Sequence, residues 1–133
     1  MSRNVELIRA FIDAYTAGDT DAALDLCAEE IRAFPDASVF LEAGPTVGRD
    51  EFGAFLEETR AAWVASRVIE KETFDVGNDR VLYRSDWGGQ GIASGAETYT
   101  NLSHIYTIQD GQITRAEWYF DHDEALKAVG LSE

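Results

Sequence analysis

A single cysteine, Cys27, cannot close an internal disulfide in a chain of 133 residues, and one thiol with only 2 histidines leaves nothing from which to build a cysteine-rich metal site. A reducing, cytoplasmic setting is therefore expected. Cationic side chains are scarce as well: 11 Lys and Arg stand against 25 Asp and Glu, for a net charge of −14. That balance opposes phosphate backbones and anionic lipid, both of which are held by cations, so neither nucleic acid nor a membrane surface is an expected partner. No apolar run approaches the roughly 20 residues that cross a bilayer. Charges in Val5-Glu6-Leu7-Ile8-Arg9 interrupt the place where a secretory leader would have its apolar core, so none is expected. With 2 prolines, no Pro/Ser linker, no repeat and no low-complexity tract, residues 1–133 read as one domain. What the chain does have is 45% apolar residues, enough to fill a core despite the charge.

The first third carries helical spacing. Val5, Ile8, Ile12 and Tyr15, with Leu7 and Phe11 beside them, recur at intervals of three and four, which puts them on one helix face. Gly18 ends that helix, and Asp19 or Thr20 caps a second, short one running through Ala22, Ala23, Leu24 and Cys27. Ile31 to Asp36 alternates briefly until Pro35 stops it, which predicts an edge strand or an extended segment. Asp50 and Glu51 open a third helix, whose apolar face is Phe52, Phe55, Leu56, Thr59 and Trp63. From about residue 66 the period changes to two. Gly77-Asn78-Asp79, Ser94-Gly95 and Asp110-Gly111 divide the second half into four antiparallel strands: Val68 to Val76, Val81 to Ile92, Tyr99 to Ile108 and Ile113 to Phe120. Gly88, Gly89 and Gly91 would let the second of these bend or bulge. Asp121, with Glu124 three residues on, caps a last helix that Gly130 ends. Helices first and strands after predict an α+β domain, with helices on one face of a curved antiparallel sheet.

That order, with Ala17-Gly18-Asp19, Gly77-Asn78-Asp79-Arg80-Val81, His104 to Gly111, and Tyr119-Phe120-Asp121 followed by Glu124-Ala125-Leu126, resembles the SnoaL-like group of the nuclear transport factor 2-like superfamily. The resemblance spans essentially the whole chain. It implies a cone-shaped α+β barrel, a curved antiparallel sheet wrapped around three N-terminal helices with a short C-terminal one, and a deep apolar pocket between helices and sheet. It also implies a homodimer formed through the outer sheet face, expected here to carry Tyr83, Trp87, Ile105 and Tyr119. Ketosteroid isomerases, polyketide cyclases and limonene epoxide hydrolases share this fold, so function has to be argued from pocket residues.

Arg84-Ser85-Asp86 is similar to the Arg-x-Asp element of the epoxide hydrolases, which would turn Arg84 and Asp86 into the pocket, with Asp86 as base and Arg84 as its orienter. The hydrolases' second Asp falls at Trp118. His104 stands where the isomerases carry an oxyanion-hole Asp and would serve as proton donor. The isomerases' helix-1 Tyr corresponds to Phe11, and their catalytic Asp to Pro35, next to Asp36, which could reach the pocket mouth as a base. The plain alternatives are a surface ion pair for Arg84 and Asp86, a satisfied core imidazole for His104 and a turn residue for Asp36. Phe11, Tyr15, Phe34, Trp63, Leu102, Tyr106, Trp118 and Phe120 supply the expected substrate-binding wall. Asp121, His122 and Asp123 point in different directions from one turn and form no metal site. These readings lead to a cofactor-free acid/base enzyme, an isomerase, cyclase or epoxide-hydrolase-like protein, acting on an apolar cyclic or polyketide-like substrate. The other reading is a non-catalytic small-molecule-binding or accessory protein of the same fold.

Overall fold

The three- and four-residue spacing of the N-terminal apolar residues becomes α1 (Arg3–Thr16), which buries Val5, Ile8, Phe11, Ile12 and Tyr15. The computed structural model describes residues 3–35, 45–61, 67–77, 79–92 and 95–130. Gly18, at φ 81°, turns the chain back, and the Asp19 carboxylate accepts the Ala22 N–H at 3.0 Å to start α2 (Thr20–Asp25). This second helix is shorter than the sequence suggested. Cys27 already begins β1 (Cys27–Phe34), because the strand is pulled into the sheet beside the C-terminal hairpin.

β1 is not an edge strand. It lies between the two-residue β2 (Thr46–Val47) and β6 (Gln112–Tyr119), parallel to the latter, with a bulge between Cys27 and Arg32. Pro35 follows its end, so the missing N–H takes no place in the ladder. After α3 (Arg49–Ala61) the meander runs as expected, through β3 (Arg67–Gly77), β4 (Arg80–Gln90), β5 (Glu97–Gln109) and β6, and α4 (His122–Ala128) closes the described chain. The sheet order is β2-β1-β6-β5-β4-β3. Asp110 and Gly111, at φ 52° and 75°, make the β5–β6 turn that the Asp-Gly pair demands.

Cross-strand register decides which side chains meet. Tyr83 pairs with His104 and His104 with Trp118, so these three share the face that packs on α1 and α3, together with Leu102, Tyr106 and Ala116. Phe11 stacks on Phe52 with ring centroids 6.0 Å apart, and Phe52 and Phe55 meet Trp118 at 5.9 and 5.5 Å, which locks both helices against the sheet.

The outer face differs from the expected apolar dimer surface. Tyr83 and Trp87 belong to the inner core, while Leu82 and Ile105, on the outer side, are covered by Ala125, Leu126 and Val129 of the C-terminal segment. Beyond them the outer face carries ion pairs, Lys71–Asp86, Arg84–Glu72 and Arg115–Glu117, each at 3.2 Å. Of the four residues proposed for that surface, Ile105 and Tyr119 alone lie there.

Candidate ligand-binding site

Between α1, α3 and the inner sheet face lies a cavity of about 40 Å³, room for roughly three water-sized groups. Its inner wall is Leu102, His104, Tyr106 and Trp118 from β5 and β6, faced by Phe11, Ile12, Phe55 and Leu56 from the helices. Tyr15, Thr59, Val68 and Trp87 complete it, and the last three are partly exposed, so the cavity opens at their end.

His104 is the polar centre of this wall. Trp118 donates its indole N–H to Nδ1 at 3.1 Å, the Tyr106 hydroxyl lies 2.7 Å from the same nitrogen, and Ser85 Oγ lies 2.9 Å from Nε2. An indole nitrogen can only donate, so Nδ1 must be bare. Tyr106 then donates to it as well, Nε2 carries the hydrogen and gives it to Ser85, and Ser85 passes its own hydrogen to the Leu102 carbonyl at 3.4 Å. Every member of the chain is satisfied. Full burial pushes the imidazole down to about 3, because no nearby anion compensates the desolvated cation. The same burial holds the Tyr106 phenol well above its ordinary value, and that of Tyr83, whose ring meets His104 edge-on at 5.1 Å, is raised too.

This tautomer has a chemical consequence. A Ser–His nucleophile needs the imidazole to accept the serine proton at the nitrogen facing it, whereas here that nitrogen is the donor. Ser85 is also fully buried and forms no part of the cavity wall. The pair is a structural chain rather than a hydrolytic dyad.

Arg84 and Asp86 do not reach the cavity. Arg84 pairs with Ser103 across the strands, on the face opposite Tyr83 and His104, and its guanidinium binds Glu72; Asp86 binds Lys71. Their orientation corrects the pocket placement read from Arg-x-Asp, because the β4–β5 register puts Tyr83, Ser85 and Trp87 on the face of His104 and Leu102. The expected trio is therefore split, with His104 inside and the other two outside. Phe34 sits at the far end of β1, under the Arg115 guanidinium at 4.2 Å, and Phe120 packs on the core edge; neither lines the cavity. Asp36 and Trp63 lie outside the described residues. Phe11, Tyr15, Leu102, His104, Tyr106 and Trp118 are on the wall, as are Ile12, Phe55, Leu56, Thr59, Val68 and Trp87, which had not been proposed. Phe55 and Leu56 were already on the buried face of α3, so their periodicity was a usable signal; Trp87 needed the register. Among the described residues no three His, Cys, Asp or Glu side chains converge on a possible metal position, and no helix is long and apolar enough to cross a membrane.

The SnoaL-like domain signature matches residues 8–116, from within α1 to within β6, and takes in every residue of the cavity wall but Trp118. The chain belongs to the SnoaL-like domain family. Solved structures agree on the fold. An NTF2-like protein of unknown function from Burkholderia pseudomallei is similar at 20% identity and TM-score 0.79, covering 97% of this chain and 98% of its own. A ketosteroid isomerase-like fold protein from Catenulispora acidiphila, solved in complex with trimethylamine, is similar at 18% identity and TM-score 0.76, over 95% and 93%. A candidate polyketide cyclase from Sinorhizobium meliloti is similar at 21% identity and TM-score 0.69, over 86% and 94%. Comparison with curated proteins finds no match. SnoaL-like membership thus accounts for the α+β fold, whose six-stranded curved sheet stays open rather than closing into the expected barrel, and leaves the chemistry to the cavity.

Proposed function

We propose that this SnoaL-like domain binds a compact, largely apolar small molecule in the cavity between α1, α3 and the sheet, as a binding or accessory module. The observation that carries the reading is the wall itself: its twelve described residues include six aromatic ones and, among them, no Asp, Glu, Lys or Arg. Such a surface gains from removing apolar area from water, at about 25 cal/mol per Å², and offers ring faces to flat or branched groups. Of the acid/base residues the sequence suggested, His104 is the one among the described residues that lines the cavity. Its imidazole is held neutral, and both nitrogens are already engaged.

The test is a thermal-shift panel of small apolar and weakly polar compounds on the whole chain, followed by NMR contacts from each hit to the Trp118 indole protons. A hit should raise the midpoint, since it binds the native state. It should also lose that effect in Val68→Trp, which places a large ring at the open end. Hits that stabilise wild type and Val68→Trp equally, or that show no contact to Trp118, would refute the cavity as the site.

A further inference from the structure

The polar groups of the wall narrow the ligand further, on the premise that the cavity is the binding site. At the deep end the hydrogens of Trp118, Tyr106 and His104 are engaged within the His104 chain. The open end holds Trp87 together with Tyr15 and Thr59, whose hydroxyl oxygens lie 2.9 Å apart. Either hydroxyl can donate to the other, and the two choices differ in what they leave for a ligand. With Tyr15 as donor, Thr59 keeps its own hydrogen on the Leu56 carbonyl at 2.8 Å, and the phenolic oxygen can accept from a ligand. With Thr59 as donor, the bond to Leu56 is given up and the phenol hydrogen turns to the ligand. An alcohol donating to Tyr15 therefore completes three hydrogen bonds, whereas a ketone accepting from it completes two. The Trp87 indole can only donate; it would serve an alcohol oxygen and a ketone oxygen alike, so it does not choose between them.

Charge of either sign is unfavourable here. The described wall residues include no Asp, Glu, Lys or Arg, and the interior holds its own titratable groups uncharged: burial lowers the His104 imidazole and raises the Tyr106 and Tyr83 phenols. The Arg60 guanidinium, 5.6 Å from the Tyr15 ring centroid, is not on the wall and gives N–H groups to the Tyr15 carbonyl and Thr20 Oγ. It repels a cation at that end, and the chain's net charge of −14 opposes the approach of an anion. We propose that the cavity selects an uncharged, compact alcohol, its O–H donating to Tyr15 Oη at the open end and its alkyl body against the aromatic wall.

NMR titration of the whole chain with four probes of similar shape tests this: cyclopentanol, cyclopentanone, cyclopentylammonium and cyclopentanecarboxylate. Saturation transfer from the Trp118 indole locates each probe in the wild-type chain, without relying on any variant's fold. Cyclopentanol should bind about fivefold more tightly than cyclopentanone, the effect of one hydrogen bond, and at least about tenfold more tightly than either ion. Thr59→Val removes the partner that holds the Tyr15 hydrogen while nearly keeping the shape. The phenol should then donate to the ligand, which tightens the ketone and closes the gap between the two neutral probes. If Thr59 only fills space, the variant moves both neutral probes together and leaves the gap, and the proposed anchor is overturned. Cyclopentanone or either ion binding as tightly as cyclopentanol to wild type, with contact to Trp118, would overturn the alcohol selection and leave the cavity as a ligand site. Failure of all four probes to contact Trp118 would overturn both.

Discussion

Trp118 points its indole N–H at Nδ1 of His104 across 3.1 Å, and this one bond fixes the state of the imidazole. The two residues face each other in the β5–β6 register, so the contact follows directly from strand pairing. It makes Nε2 the protonated nitrogen and aligns Tyr106, His104, Ser85 and the Leu102 carbonyl as successive donors and acceptors. The arrangement places three buried polar side chains in an aromatic core without leaving a hydrogen bond unmet.

The first prediction concerns pH. His104 takes a proton in the unfolded chain near 6.5 and in the folded one only at about 3. Above 6.5 neither state binds it; between 6.5 and 3 the unfolded state binds more protons, so stability rises with pH in that window and is lost as pH falls through it. By about pH 5 the loss from this group should be about 2 kcal/mol. Urea unfolding at neutral pH and at about pH 5 should show that loss in wild type and lack it in His104→Gln. Long-range proton–nitrogen NMR should show a bare Nδ1 and a protonated Nε2 throughout.

Trp118→Phe isolates the indole hydrogen bond while keeping a ring against Phe52 and Phe55. It should cost about 1–3 kcal/mol, combining the smaller ring with a lost buried hydrogen bond. It also frees Nδ1 from its donor-only partner, so the imidazole can adopt the other tautomer. Chemical denaturation gives the first quantity, and the imidazole nitrogen shifts give the second. An unchanged, pure Nε2–H tautomer would show that Tyr106 alone orients His104.

Arg84→Gln and Asp86→Asn should each change stability by less than about 1 kcal/mol, because each breaks one partly exposed ion pair on the outer face. Neither should alter the affinity of any ligand that contacts Trp118. The check is equilibrium unfolding alongside titration with a compound that the thermal-shift panel identifies. A large loss of binding in either variant would return these residues to the cavity.

The helices and the four-strand meander were legible because each rests on local chemistry: period, caps, and turn glycines such as Gly18 and Gly111. What local chemistry did not contain was register. A strand has two faces, and nothing within Arg84-Ser85-Asp86 says which one is inside; the answer lies in Tyr83 standing opposite His104. The apolar partners Val81, Tyr83 and Trp87 on one face of β4, against Leu82 with two charges on the other, were the available clue. For the same reason Ser85 went unnoticed as the partner of His104: the two lie diagonally across the β4–β5 ladder, and only paired strands bring them to 2.9 Å. The parallel pairing of β1 with β6 joins segments some eighty residues apart, which no short-range pattern reports.

The last prediction tests the curvature that gives the cavity its shape. A Cβ built on Gly88 would lie 1.9 Å from the Thr98 carbonyl oxygen, and that neighbour is backbone, which cannot swing aside as a side chain does. Gly88 pairs with Tyr99 where β4 and β5 approach their shared end, and the adjacent Gly89 sits at φ 146°. Gly88→Ala must therefore push the two strands apart just beyond Trp87, a residue of the cavity wall. It should destabilise the domain by more than about 2 kcal/mol, in the range reached when a substitution forces backbone strain. Gly77→Ala is the control, since no atom lies within 4 Å of the added carbon and its φ of 84° imposes conformational strain without a clash. Amide hydrogen exchange should show opening at the Gly88 end of β4 and β5 for the first variant and around the β3–β4 turn for the second. Equal, local effects in both would mean that close strand approach at Gly88 is not what holds the sheet in its bend.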